Sequence, residues 1–189
     1  MGNQAPSADA RGIREILKGI NRYDQHPIAY QWALDNDKLI DMFGTFAKER
    51  HLIVFQSGNE NENWIDPYLN IIYKMNILTH TGGDILKVFE KIDAYNEIFA
   101  EIPMRFVGFH AMSSQNLYPV FAQQFISQVS FAQQNMIDDY MCSKGFVKGT
   151  KEGFYFNDKY ELSDIKPKNV LCAEDGTIFV IDAEIRLKW

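Results

Sequence analysis

Apolar and polar positions recur in two rhythms along this chain, one helical and one of short alternating runs. Ile13, Ile16, Leu17 and Ile20 fall at helical spacing and predict a short amphipathic helix. Leu39, Ile40, Met42, Phe43 and Phe46 predict a second, with Asp35 or Asn36 as its cap. Pro27 breaks the stretch between them, whose state the pattern leaves open. The texture changes at His51. Leu52–Phe55 reads as a strand, residues 57–63 as a polar connection, Trp64-Ile65 as resumed apolar character and Ile71–Met75 as another strand. Three short strands in succession predict a small antiparallel sheet.

Thr81-Gly82-Gly83-Asp84 opens a helix whose Ile85, Val88, Phe89, Ile92, Tyr95 and Phe99 share one face, and Pro103 stops it. Two further strands, Phe106–Phe109 and Tyr118–Ile126, flank a turn at Ser113–Asn116. Ser130, with Gln133 three residues on, has the form of a capping box. It predicts a helix lined by Met136, Ile137, Tyr140 and Met141 and ended by Gly145.

Composition narrows the class without naming a chemistry. The 189 residues are 46% hydrophobic and 23% charged, ordinary for a globular chain and sufficient for one core. Two cysteines, Cys142 and Cys172, and four scattered histidines supply neither a disulfide framework nor a clustered zinc site. The net charge of −6 argues against nucleic acid as a partner. No apolar run approaches the roughly 20 residues that span a bilayer. The start lacks a signal peptide's apolar stretch, and Pro6 stands where a myristoylation signal needs Ser or Thr. These features predict a soluble, cytoplasmic protein with no membrane partner.

The sharpest chemical signal is Asp164-Ile165-Lys166-Pro167-Lys168-Asn169-Val170-Leu171, followed after an Asp175-Gly176 turn by Ile181-Asp182-Ala183-Glu184. A hairpin between Val170 and Ile181 brings Asn169 and Asp182 to one mouth. The first segment resembles the catalytic loop of protein kinases, and the second stands where that superfamily carries its metal-binding aspartate. Asn169 lies five residues after Asp164 and Asp182 thirteen after Asn169, both spacings of that pattern. The resemblance implies that Asp164 handles the acceptor hydroxyl's proton, that Lys166 neutralises the migrating phosphoryl group, and that Asn169 and Asp182 offer oxygens to Mg²⁺. The plain alternative is a surface turn followed by an ordinary hairpin.

Ile71-Ile72-Tyr73-Lys74 resembles the kinase strand that carries the phosphate-binding lysine, here Lys74. The helix after it then corresponds to the kinase αC helix. Glu90, Asp93 and Glu97 share one flank of that helix, and Glu90 is slightly favoured as the acid paired with Lys74.

More narrowly, the chain is similar to the polyvalent protein kinase family of phages and bacterial mobile elements. Tyr95–Phe99, Arg105–Phe109, Tyr118–Ile126, Ile137–Tyr140, Gly145-Phe146 and the Asp164 and Asp182 motifs carry that likeness, over about Leu52 to Leu187. It implies a hinge at Gln124, Phe125 and Ile126 that meets an adenine edge, and a phosphate-facing loop at Ser57, Gly58 and Asn59. That loop departs from the family's glycine-rich form, having one glycine and the acids Glu60 and Glu62. Leu162 and Ser163 replace the usual His and Arg, and Ala183 and Glu184 replace Phe and Gly. Only seven residues follow Asp182, too few for a protein-substrate platform.

The fold implied is α+β and protein-kinase-like: an antiparallel N-lobe sheet with an αC-type helix and a truncated, minimal C-lobe. Residues 1–50 form a helical extension and 51–189 the kinase-like domain, with its N-lobe at about 51–126 and reduced C-lobe at about 127–189. The expected activity is phosphotransfer from ATP with Mg²⁺ to a protein hydroxyl or a small molecule. The alternative is a catalytically inactive nucleotide-binding or protein-interaction module.

Overall fold

The computed structural model describes residues 8–56 and 58–188; the expected phosphate-loop residue Ser57 lies outside them. The described residues up to Asp93, with Met104–Phe125, form one compact unit. Ala94–Pro103, with the described residues from Ile126 onward, form the other. Every pairing between named strands is antiparallel, so the architecture is mixed α/β with antiparallel sheets.

The first unit contains helices α1 (Ala8–Leu17), α2 (Arg22–Asp35) and α3 (Thr45–Glu49). Its strands are β1 (Ile53–Phe55), β2 (Asn61–Asp66), β3 (Ile71–Asn76), β4 (Arg105–Ser113) and β5 (Asn116–Gln124), arranged in the order β1-β2-β3-β5-β4. Helix α4 (Ile85–Ile98) begins in this unit, and the division falls after its Asp93. Side chains alternate along a strand, so neighbours go to opposite faces. Trp64, Tyr73, Met75 and Val120 pack around Met42 on one face. On the other, Phe89 of α4 sits edge-on to Phe106 (centroids 5.0 Å apart) and to Phe121 (5.6 Å). Burying each such ring contributes on the order of 2–3 kcal/mol, which is ample reason for α4 to lie on that face.

Three expectations fail here, two of them because a distant partner outweighs a local signal. Pro27 does not break the chain, for α2 runs straight through it. A proline inside a helix costs about 3 kcal/mol, but Ala29 and Ala33 are fully buried on this helix and Gln25 is nearly so. Gln25 also reaches the start of α4: its amide donates to Asp84 Oδ1 at 3.1 Å and its Oε1 accepts from the Leu86 N–H at 3.1 Å. The helix expected from Leu39 starts only at Thr45, taking in Phe46, and residues 38–40 are instead an extended edge. Ile40 N–H donates to Phe109 O at 2.9 Å and Phe109 N–H to Lys38 O at 2.7 Å. Gly108 permits that approach, because a Cβ there would stand 2.5 Å from Lys38 O. Asn36, expected as an N-cap, ends α2 by donating to Trp32 O at 2.8 Å.

The second unit contains β6 (Val129–Phe131), α5 (Gln134–Ser143), β7 (Val147–Lys148), β8 (Tyr155–Phe156) and β9 (Tyr160–Ser163). A single 3-10 turn (Pro167–Asn169) follows, then β10 (Val170–Ala173), β11 (Ile178–Val180) and β12 (Glu184–Leu187). They make two sheets, β11-β10-β6 and β12-β9-β8-β7. Ser130 is a second failed cap: it lies in β6 opposite Cys172, and α5 starts only at Gln134. Pairing with β10 takes the serine's backbone away from any helix start.

Ile137, Met141, Leu162, Ile165, Val170 and Val180 are fully buried and form this unit's core. Tyr155, buried on β8, donates to Asp138 Oδ1 at 2.5 Å, and Gln134 and Lys148 hold the same carboxylate. Burial and the neighbouring Asp138 charge push the Tyr155 phenol well above its ordinary value. Tyr95, on the last turns of α4, donates to Val180 O on β11.

Candidate active site

The segment Asp164–Asn169 is a self-bonded loop of the second unit. It leaves β9 at Ser163 and closes with the 3-10 turn of Pro167–Asn169, where Pro sits in the first turn and its missing N–H costs nothing. Asp164 is left-handed, with φ of 60°. Asparagine and aspartate tolerate that region because their short side chains bond locally. The Asp164 carboxylate has three partners: Asn169 Nδ2 at 2.8 Å and Lys168 Nζ at 3.1 Å on Oδ2, and Lys166 Nζ at 3.3 Å on Oδ1. Burial raises its pKa, but the bonds from Lys168, Asn169 and Lys166 outweigh that and hold it below the usual carboxylate value. The group is an anion at neutral pH with two cations beside it.

Asn169 is buried, and both of its amide hydrogens are spent on Asp164, one on Oδ2 and one on the main-chain carbonyl at 2.9 Å. This fixes which way the amide faces and leaves Oδ1 as the atom offered elsewhere. Asp182 comes alongside through the backbone. Val170 pairs with Val180, and the next residue, Ile181, donates its N–H to Asn169 O at 2.9 Å. Asp182 is the exposed residue immediately after that bond. Beyond it, β12 pairs with β9 and sets Glu184 opposite Ser163. An amide oxygen and a carboxylate are hard donors of the kind Mg²⁺ takes, so this donor set fits that ion.

Ile165 anchors the loop. Its side chain is fully buried, and its N–H donates to Gly153 O at 3.1 Å. Gly153 has a φ of 69°, and a Cβ on it would stand 2.8 Å from Lys166 Cγ and 3.2 Å from both Ile165 N and O. Only glycine fits beneath the loop. Nothing in the sequence around Gly153 marks it, because its role is set by a loop that returns from a separate hairpin.

In the first unit, Lys74 lies on β3 between Asn63 of β2 and Phe121 of β5 and is only 9% exposed. Tyr73 and Met75 take the Met42 face, so Lys74 takes the face that carries α4. The acids of that helix have other positions. Glu90 is exposed, Asp93 pairs with Arg14, and Glu97 receives Lys159 at 2.6 Å and the Tyr160 hydroxyl at 2.7 Å. The sequence passed over Lys91, whose Nζ meets Glu60 Oε1 at 2.7 Å and Oε2 at 2.8 Å.

Gly58 and Asn59 are exposed in the β1–β2 connection, where Gly58 N–H donates to Asn61 O at 3.0 Å. Gln124 ends β5, with its side-chain amide on Asn70 O at 2.8 Å. Phe125 spends its N–H on the same carbonyl at 2.8 Å, and its ring meets Phe55 edge-on. Ile126 opens the second unit's share of the chain.

No helix among the described residues is long and apolar enough to cross a membrane. No curated protein and no solved structure matches the chain. One family does, over residues 28–189, and so takes in α2 from Ile28 onward and the segment up to β1, which the motifs alone leave unassigned. With its match covering most of the sequence, the chain belongs to the serine/threonine/tyrosine kinases found in polyvalent proteins.

Proposed function

We propose that this protein transfers the γ-phosphoryl group of ATP to a hydroxyl, on a protein or a small molecule, in a minimal kinase-like domain. The observation that carries the reading is the Asp164 carboxylate with Asn169, Lys166 and Lys168 gathered on it. The sheet with Lys74 and α4 serves as the N-lobe and its αC-type helix, and the second unit as a reduced C-lobe.

Phosphoryl transfer asks little covalent chemistry of a protein; positioning and charge do most of it. Asp164, ionised and held by three donors, accepts the acceptor hydroxyl's proton or orients that hydroxyl for attack. Lys166, already beside the carboxylate, neutralises charge on the group in flight. Lys74 takes the nucleotide's phosphates. Asn169 Oδ1 and Asp182 are the atoms that hold Mg²⁺, which when bound offsets phosphate charge. The adenine edge falls to the segment Gln124–Ile126, where the Phe125 N–H is already used and neighbouring backbone groups are left to serve. Glu90, exposed on α4, is the acid assigned to pair with Lys74, in the nucleotide-bound form.

Thermal unfolding in the presence of ATP tests this. A ligand at 100 times its dissociation constant adds about 2.7 kcal/mol. ATP should stabilise the wild type with Mg²⁺, less with EDTA, and Asp182→Asn should abolish the difference. Stabilisation without any turnover favours the inactive nucleotide-binding module. No stabilisation by ATP with or without Mg²⁺ overturns the reading.

A further inference from the structure

The connection between β1 and β2 has neither the glycines nor the charge of an ordinary phosphate loop, yet its last residue is held from several sides. Glu60 takes Lys91 Nζ on both carboxylate oxygens, at 2.7 and 2.8 Å, in a pair whose side chains are only 12% and 17% exposed. Its main-chain carbonyl accepts the Ile77 N–H at 3.0 Å. Asn76 Nδ2 lies 3.5 Å from Glu60 Oε1 and 3.3 Å from Asn61 Oδ1, and His80 Nδ1 lies 4.0 Å from Oε2. Asn76 is two residues past Lys74 on β3, so both point to the sheet face that carries α4.

We propose that the Glu60–Lys91 pair positions the β1–β2 connection for the nucleotide's phosphates and cancels the charge Glu60 would otherwise turn on them. The proposal rests on the nucleotide-binding reading above. Its polarity is the reverse of the tie expected from the sequence: the helix supplies the cation and the loop the acid. A Cβ on Gly58 would meet nothing within 4 Å. The ion pair at Glu60 is what ties the end of this loop to α4. A largely desolvated pair broken on one side leaves an uncompensated charge, so each single reversal is costly and the double reversal is not.

The test is calorimetric titration of the full chain with two probes, Mg²⁺ with the non-hydrolysed analogue AMP-PNP, and adenosine. Lys91→Glu should weaken AMP-PNP binding by at least about tenfold while adenosine affinity stays within about twofold, because the pair acts on phosphates. The exchange Glu60→Lys with Lys91→Glu should restore AMP-PNP affinity to within about threefold. Where charge reversal prevents folding, Lys91→Met and Glu60→Gln give the same comparison with milder losses. Equal weakening of both probes, wild-type AMP-PNP affinity in the single variants, or an exchange that restores nothing overturns the proposal while the nucleotide reading stands. A wild type that binds neither probe removes both.

Discussion

The two polar connections to which the proposed function assigns the chemistry are built in opposite ways. The Asp164–Asn169 loop is closed by its own members: its carboxylate is bonded by residues two, four and five positions on. Among its described residues, the β1–β2 connection shows no side-chain cluster of its own members like that on Asp164. It is fixed at Glu60 by a lysine thirty-one residues later on another element. A loop that organises itself leaves a motif with fixed spacing, whereas one organised from outside leaves none.

The Asp164–Asn169 loop offers the largest effects with which to test that contrast. Lys166→Ala should cut transfer by at least about 100-fold, as removal of one charge-stabilising donor does. Lys168→Ala, whose side chain is 65% exposed, should cost less than about tenfold, since exposed pairs contribute roughly 0–1 kcal/mol. Steady-state rates of label transfer from ATP rank the two. An equal loss from both would mean the loop works as one undivided cluster.

Next comes the support beneath it. Gly153→Val places a branched side chain at positive φ and against Ile165 and Lys166. It should lower unfolding free energy by about 1–3 kcal/mol, read in a urea titration. Full stability with unchanged turnover would show the loop is not braced from that side.

Tyr155→Phe removes one hydroxyl from the Asp138 network and leaves the ring in place. The expected loss is about 1–2 kcal/mol in the same titration. Asp138 keeps Lys148 and Gln134, so transfer rates should hold once the variant is folded.

The smallest effect is a pH dependence in the first unit. His26 Nδ1 accepts from the Leu117 N–H at 3.2 Å and its Nε2 faces Gly83 O at 3.1 Å, an arrangement of the neutral ring. Burial lowers its pKa below the ordinary 6.5, with the Gly83 bond opposing. The unfolded chain thus takes a proton first as pH falls. His26's contribution to stability is complete above 6.5 and declines below it until the folded value is reached. Melting temperatures of wild type and His26→Gln between about pH 5 and pH 8 should converge on the acid side. Parallel curves would count against it.

Much of what positions the site is legible in the sequence because it is local. The strand around Lys74, the helix opened by Asp84 and stopped before Pro103, and the hairpin that sets Asp182 next to Asn169 all follow from short-range pattern and spacing. What escapes is set by contacts far along the chain. Residues 38–40 look helical because Leu39, Ile40 and Met42 fit that period, but Phe109 claims their backbone. Ser130 looks like a cap until β10 pairs with it. Pro27 looks like a break until Ala29 and Ala33 are buried. Lys91 and Gly153 carry no mark at all, since neither lies in a motif and each is defined by a partner from another element.

Counting phosphate that leaves ATP in the presence of Mg²⁺, in wild type and in Asp164→Asn at saturating nucleotide, tests the account at its centre. The carboxamide keeps the size of the side chain and removes its charge, so nucleotide affinity should hold while transfer falls by at least about 100-fold. Equal transfer by the two proteins, each still binding ATP, would contradict it.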